Sequence, residues 1–358
     1  MTIIRIADQL IGKDQPAYFI ADIAANHDGS ISRAKDLISL VKEAGGDAVK
    51  FQNFRASKIV SEKGFKLMEG QVSHQNKWQK SVYEVYEDAS IPFDWSEELH
   101  AYCRDIGIHY FSTPYDFEAV DMLEQYVLAY KIGSGDITWL EMLERIALKA
   151  KPVLLATGAS AIEEVKRAVA TILSINPQLV LMQCNTNYTA SAKNFRYINL
   201  RVLNLYHKIY PELILGLSDH TLGHATVLGA VALGAKVIEK HFTDDISRKG
   251  PDHAFSMTPA TWKTMVEGTR ELEAALGNEE KKIEDNEQNT VIIQRRCIRA
   301  AQDIPMGTVL EKHMLDVLRP APGDGILPYD LQKVLGRHLV KSLGVGDQLN
   351  WEMLGDPK

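Results

Sequence analysis

The chain has 358 residues, 45% hydrophobic and 24% charged, with 24 Gly, 13 Pro and a formal net charge of -7. That length exceeds what one core usually fills, so a large domain and a smaller one are expected, and the acidic balance argues against a nucleic-acid surface without forbidding a local anion pocket. The amino terminus lacks a charged-then-apolar leader, no apolar run of about 18 residues occurs, and Cys103, Cys184 and Cys297 form no CxxC pair. A cytoplasmic protein with buried thiols, no disulfide framework, no nucleic-acid partner and no membrane partner is expected.

Short β-branched runs recur in chain order: YFIADIA at 18–24, DAVKFQ at 47–52, IHYFST at 108–113 and LAYKIGS at 128–134. PVLLAT at 152–157, LVLMQC at 179–184, LILGLS at 213–218 and AKVIEKHF at 235–242 complete the series. Runs apolar on both faces, separated by helical stretches such as SRAKDLISLVKEAG, indicate parallel strands joined by crossover helices. Eight such units predict an α/β fold, a (β/α)₈ TIM barrel, with a doubly wound sheet as the competitor. The connection at 53–92 is unusually long, carries Trp78, Tyr83 and Tyr86, and is expected to fold over one end as a lid.

The polar stretch GNEEKKIEDNEQN at 277–289 is read as a linker, giving domains at 1–285 and 290–358. In the tail, DIPMGTVL at 303–310 is echoed by SLGVGDQL at 342–349, which suggests an internal pseudo-repeat in a small β-rich domain. Such a domain is only marginally stable alone.

In a barrel, polar residues at the carboxyl ends of strands face the active site. That rule selects Asp22 with Asn26 and His27, Lys50 and Gln52, Ser112 and Thr113, and Lys131 with Ser134 and Asp136. The later strands add Thr157, then Gln183, Asn185, Thr186 and Tyr188, then Ser218, Asp219 and His220, and last Glu239 and His241. Lysines inside apolar strands are expensive to bury unpaired, so Lys50 and Lys131 imply either a multiply charged anion or partner carboxylates such as Asp22, Asp47 or Asp136. His220 and His241 end adjoining strands and could share a divalent metal, with Asp22 alongside; satisfied core histidines are the alternative. The group Arg248, Lys249, Asp252 and His253 reads equally as a solvated loop, and GSGD at 133–136 is too short for a phosphate loop.

With these residues in view, the sequence resembles the sialic acid synthases and their legionaminate and pseudaminate relatives. The similarity runs through ANHDGS, VKFQ, FSTPYD, YKIGSGD, LSDHT, ALGAKVIEKHFT, GPDHAFSM and RPAPGDGI. It implies a phosphoenolpyruvate-binding barrel followed by an antifreeze-like (SAF, β-clip) domain, in a homodimer whose small domains cap the partner barrels. It implies Mn²⁺ or Mg²⁺ on His220 and His241, and no organic cofactor. Phosphoenolpyruvate would be held by Lys50, Thr113, Lys131, Ser134 and Ser218. Gln52, Tyr188 and Asp252 would line the sugar side, with Asp136 and Thr186 as further substrate-binding candidates. Arg319 would reach the acylamino group from the other subunit, and Asp22 would handle water or a sugar hydroxyl.

Three departures bear on specificity. ATG at 156–158 places Ala156 where relatives commonly have Ser, QCNTNYT places Thr186 and Thr189 where Asn or Ser and Pro are usual, and Asp22 is one methylene shorter than the usual Glu. GPDHAFS favours N-acetylmannosamine or a 2,4-diacetamido hexose over the pseudaminate precursor. The alternatives are a pseudaminate synthase, a 9-phosphate-forming synthase, another phosphoenolpyruvate-condensing barrel and, in a different class, an ice- or sugar-binding protein.

Overall fold

The computed structural model describes residues 2–68, 75 and 78–356, in two units, Met1–Gly277 and Asn278–Lys358. The first opens with an antiparallel hairpin, β1 (Ile4–Ile6) and β2 (Gln9–Ile11), which the hydrophobic pattern did not reveal. Eight parallel strands then close into a barrel: β3 (Tyr18–Asp22), β4 (Ala48–Asn53), β5 (His109–Pro114), β6 (Tyr130–Ile132), β7 (Val153–Ala156), β8 (Leu179–Cys184), β9 (Ile214–Asp219) and β10 (Ala235–His241). Closure is made by β10 against β3, with His241 opposite Asp22. All eight apolar runs are barrel strands.

The alternation of side chains along each strand sorts the chain into two cores. Tyr18, Ile20, Phe111, Leu154, Val180, Met182, Ile214 and Val237 fill the barrel interior, and Ile4, Ile6 and Ile11 of the hairpin join that cluster. Residues of the opposite parity, such as Phe19, Val49, Phe51, Leu155 and Ile238, pack under the helices. The interior positions one step beyond this apolar plug are therefore Asp22, Lys50, Thr113, Lys131, Glu239 and His241. The sequence periodicity thus drives polar groups into the upper barrel.

The helices are α1 (Ile31–Glu43), α2 (Ala56–Ile59), α3 (Glu62–Leu67), α4 (Val82–Ala89), α5 (Trp95–Ile106), α6 (Phe117–Leu123), α7 (Leu140–Ala147), α8 (Ile162–Leu173), α9 (Val202–Ile209), α10 (Ala225–Ala232) and α11 (Pro259–Leu276). In α1, Ser30 caps the first turn by accepting from the Arg33 N–H, and Ala34, Leu37, Ile38 and Val41 form one buried face. Helices α2, α3 and α4 belong to the long connection after β4. A reciprocal Ser81–Glu84 capping box starts α4, whose packing partner is α2.

The second unit contains α12 (Gln288–Gln294), the antiparallel pair β11 (Cys297–Ala300) and β12 (Leu315–Leu318), and α13 (Leu331–Val334). The chain divides after Gly277, so the polar stretch read as a linker is counted with this unit. The two echoed segments pair with each other: Ile304 and Leu343 exchange backbone hydrogen bonds of 2.8 and 2.9 Å. Gly307 and Gly346 take φ of 86° and 84°, a conformation in which a Cβ is strained. Ile298, Ile304, Leu310, Ile326, Leu339, Leu343 and Leu349 make the core of this unit. All three cysteines are free and buried, and among the described residues no helix is long and apolar enough to cross a membrane.

Candidate active site

A cavity at the carboxyl ends of the barrel strands is lined by Asp22, Lys50, Gln52, Thr113, Lys131, Ser134, Tyr188, Ser218, His220, His241 and Asp252. Asp136 and Thr186, two of the expected substrate-binding residues, are not among its lining residues, and Arg319 lies exposed in the second unit. Asp136 is half-buried in the turn after β6, its Oδ2 without a hydrogen-bond partner, and burial pushes its carboxyl up to about 6.

The two lysines are paired. Lys50 Nζ lies 2.6 Å from Asp22 Oδ2 and 3.4 Å from Thr113 Oγ1, and the Gln52 amide donates to the same carboxylate oxygen at 3.2 Å. Lys131 Nζ lies 3.3 Å from Glu239 Oε1, which also accepts from Ser218 Oγ at 3.0 Å. The sequence-based partners thus hold for Asp22 but not for the other two. Asp47 sits at the opposite end of the strands, accepting from the Phe19 N–H and the Gln9 amide, and the partner of Lys131 is Glu239. Burial works against charge on Lys50, but Asp22 and Glu239 outweigh it and raise its pKa; burial raises Asp22, with Lys50 opposing. Glu239 is pulled down to about 2, because Lys131 and Lys50 overcome the desolvation of its buried carboxylate. Its Oε2 has no hydrogen-bond partner.

His220 and His241 stand with ring centroids 5.2 Å apart, and Phe255 meets both edge-on at 5.9 and 4.9 Å. Desolvation in this aromatic setting holds both imidazoles down to about 3, so they are neutral near pH 7. His220 Nδ1 lies 3.0 Å from the Asn185 carbonyl, which can only accept. The proton is therefore on Nδ1 and the lone pair on Nε2. His241 Nδ1 is buried without a hydrogen-bond partner, and Nε2 is 3.6 Å from Asp22 Oδ2. Two neutral imidazoles beside a carboxylate suit a divalent cation. Among the described residues no three His, Cys, Asp or Glu side chains gather as a ligand set, so other ligands would have to come from water or substrate.

Asp252 accepts from the Ala25 N–H at 3.2 Å; burial pushes its carboxyl up to about 7, with nearby Asp22 adding to the rise. The loop that carries it is tied rather than solvated. Arg33 forks onto Asp244 at 2.8 and 2.6 Å, Arg248 joins the same carboxylate, and buried His253 bridges Asp28 and Thr243 at 3.0 and 2.8 Å. Only Lys249 of that group is simply exposed.

Several strand-end polar residues point away from the cavity. Ser112 donates to Asn53, Thr157 donates to the Met182 carbonyl, Gln183 donates to the Ile198 carbonyl, and Asp219 pairs with Lys240. Their parity assigns them to the helix-facing side. Asn26 is spent on Phe242 O and Ser256 Oγ, and His27 accepts from the Gly29 N–H. Gly158 is required by close approach: its N–H donates to Ser134 Oγ at 2.9 Å, and a Cβ there would lie 2.7 Å from Thr186 Cγ2. Ala156 lines the cavity without a hydroxyl. Glu239, which the strand-end rule selected, and Tyr86 of the long connection both line the wall; Cys184, Tyr115 and the insertion residues Phe54, Ile59, Val85 and Ala89 complete much of it and were not among the expected site residues.

A parallel eight-stranded barrel with lysines, neutral imidazoles and acidic groups at its carboxyl mouth defines a TIM-barrel protein with an anion-suited site, here followed by a small SAF-type domain. The NeuB family profile matches residues 37–281 and that of the SAF domain residues 295–355. The chain belongs to the NeuB family of sialic, legionaminic and pseudaminic acid synthases. It is 36% identical to the N,N'-diacetyllegionaminic acid synthase of Legionella pneumophila over 95% of each chain. Identity to the N-acetylneuraminate-9-phosphate synthase of Homo sapiens is 31%, over 96% of this chain and 94% of that one. The crystal structure of the N-acetylneuraminic acid synthetase of Leptospira borgpetersenii superposes with a TM-score of 0.70 at 26% identity, covering 81% of this chain and 95% of that one.

Proposed function

We propose that the chain condenses phosphoenolpyruvate with an N-acylated amino-hexose and water, giving a nine-carbon 2-keto sugar acid and phosphate by C–O cleavage. The observation that carries this reading is the convergence of Lys50, Lys131, Thr113, Ser134 and Ser218 with His220 and His241 in one cavity. Two ammonium groups and three hydroxyls suit a phosphate and a carboxylate. His220 and His241 would hold Mn²⁺ or Mg²⁺, which when bound would supply Lewis acidity toward a carbonyl oxygen.

Lys50 and Lys131 exchange their carboxylate partners for substrate oxygens and fix the enol phosphate. The C2=C3 π pair of phosphoenolpyruvate forms the new bond from C3 to the open-chain aldehyde carbon, the C=O π pair moves onto the aldehyde oxygen, which takes up a proton to become a hydroxyl, and electron deficiency develops at C2. Water adds to C2 while Asp22, raised by burial and beside Lys50, accepts its proton. The resulting tetrahedral centre breaks its C2–O bond to phosphate, leaving the keto group, and the lysines stabilise the departing anion. Gln52, Tyr188 and Asp252 are disposed to meet the sugar. In the homodimer proposed from the family resemblance, Arg319 of a second subunit would address the acyl carbonyl.

Phosphate release and mass detection of the product, with phosphoenolpyruvate and a panel of N-acyl hexosamines, test this reading. Phosphoenolpyruvate labelled with ¹⁸O at the bridging position should pass its label to phosphate; label kept in the keto acid refutes C–O cleavage.

A further inference from the structure

His253 is fully buried, yet it stands behind the cavity and is not among its lining residues, and both of its ring nitrogens are engaged. Nε2 meets Asp28 Oδ1 at 3.0 Å and Nδ1 meets Thr243 Oγ1 at 2.8 Å. A carboxylate only accepts, so Nε2 donates, and Thr243 completes the ring at Nδ1. Arg33 Nε holds the other Asp28 oxygen at 3.0 Å. Gly250 packs so closely against the imidazole that a Cβ there would lie 2.6 Å from His253 Cδ2. The ring thus joins the turn after β3 to the end of β10 and the loop that follows it. With a partner on each nitrogen and backbone against its edge, it is held in one orientation.

That orientation fixes the residues on either side of His253, and both reach the site. Asp252 Oδ2 lies 4.0 Å from His241 Nδ1, and the Phe255 ring meets His241 and His220 edge-on. His241 Nδ1 has no hydrogen-bond partner, so packing and the facing carboxylates orient this imidazole. We propose that His253 is a positioning residue: through Asp252 and Phe255 it sets His241 for a divalent ion and Asp252 for the acceptor sugar. This rests on the metal and condensation readings above. Groups that orient a metal ligand from behind are worth about 10–100-fold in metal affinity or activity. A residue that only stabilised the fold would behave differently. Its loss would lower the number of folded molecules, and with it kcat, while leaving dissociation and Michaelis constants unchanged.

The test uses the full-length protein. Mn²⁺ binding is read from the paramagnetic resonance signal of the free ion, and turnover from phosphate release with phosphoenolpyruvate and either N-acetylmannosamine or 2,4-diacetamido-2,4,6-trideoxymannose. His253→Leu should weaken Mn²⁺ binding about tenfold and, at saturating Mn²⁺, raise the KM for the acceptor by a similar factor, while the KM for phosphoenolpyruvate stays within about twofold. Thr243→Val removes the hydroxyl and keeps the shape, and should move the same two constants by about threefold; Thr243→Ser keeps the hydroxyl and should stay nearer wild type. This pair decides the matter if His253→Leu does not fold. In folded variants, an Mn²⁺ affinity or an acceptor KM within about twofold of wild type overturns the inference and leaves the condensation standing, as does a Thr243→Ser variant no better than Thr243→Val. A wild type that binds no Mn²⁺ overturns it through the metal reading. A wild type that binds Mn²⁺ but turns over neither sugar overturns the condensation reading, and the inference is then decided by Mn²⁺ affinity alone.

Discussion

Removal of the Lys240 ammonium should destabilise the barrel more than any single surface change. Lys240 and Asp219 are each 1% exposed, with Nζ 2.5 Å from Oδ2. The same oxygen accepts from Thr226 Oγ1 at 2.6 Å and Thr221 Oγ1 at 2.9 Å, while Lys240 also donates to the Thr221 carbonyl at 2.7 Å. This knot ties β9 to β10 directly beside His220. Lys240→Met leaves a buried carboxylate without its counter-charge, a loss of about 3–5 kcal/mol. In Lys240→Met with Asp219→Asn the charge is gone and only altered hydrogen bonds remain, so the loss should shrink to about 1–2 kcal/mol. Equilibrium urea unfolding of the wild type, the single and the double variant reads these differences. The single variant's Asp219 has its folded pKa raised, so its stability should be greatest at low pH and fall as pH rises. A single variant within about 1 kcal/mol of wild type, or a double variant no better than the single, refutes the reasoning.

The raised pKa of Asp136, about 6 against 3.8, means its contribution to stability is complete below pH 3.8 and lost as pH rises through 6. Asp136→Asn should therefore gain on the wild type between pH 4 and pH 8 by up to about 3 kcal/mol in urea unfolding; a pH-independent difference contradicts this. Chelator-treated wild-type protein should melt higher when Mn²⁺ is added, and His220→Ala should lose that rise; an equal rise in both would show that the ion binds elsewhere. Gly158→Ala places a methyl 3.0 Å from Ser134 Oγ and 3.1 Å from Cys184 Sγ, and should raise the KM for phosphoenolpyruvate by about tenfold through displacement of Ser134. Unchanged steady-state kinetics would show that the strain is absorbed elsewhere.

The barrel was legible because β-branched runs at crossover spacing carry their own period, and all eight became strands. The site was legible at its floor for a related reason: a Lys or His in an apolar strand has few places to go, and Lys50, Lys131 and His241 went to the interior. What single-residue chemistry could not supply was parity. Ser112, Gln183 and Asp219 are as polar as their neighbours and sit at the same strand ends, yet each is one residue out of step with Thr113, Cys184 and Ser218, so each turns to the helices. The same parity, counted back two from His241, would have marked Glu239 as an interior carboxylate facing Lys131. The hairpin β1–β2 was missed because three-residue strands are too short to show a period, although Ile4, Ile6 and Ile11 plug the barrel floor.

That plug explains the position of the chemistry. An interior filled from below by isoleucines and aromatics cannot admit water, so Asp22, Lys50, Lys131 and Glu239 are confined to the layer above it and must satisfy one another there. Each ion pair offsets the burial of its partner. An isolated lysine would give up charge to burial, whereas Lys50 between two carboxylates keeps it. Asp22 and Glu239 thus keep Lys50 in the charged form that the proposed anionic substrate would need.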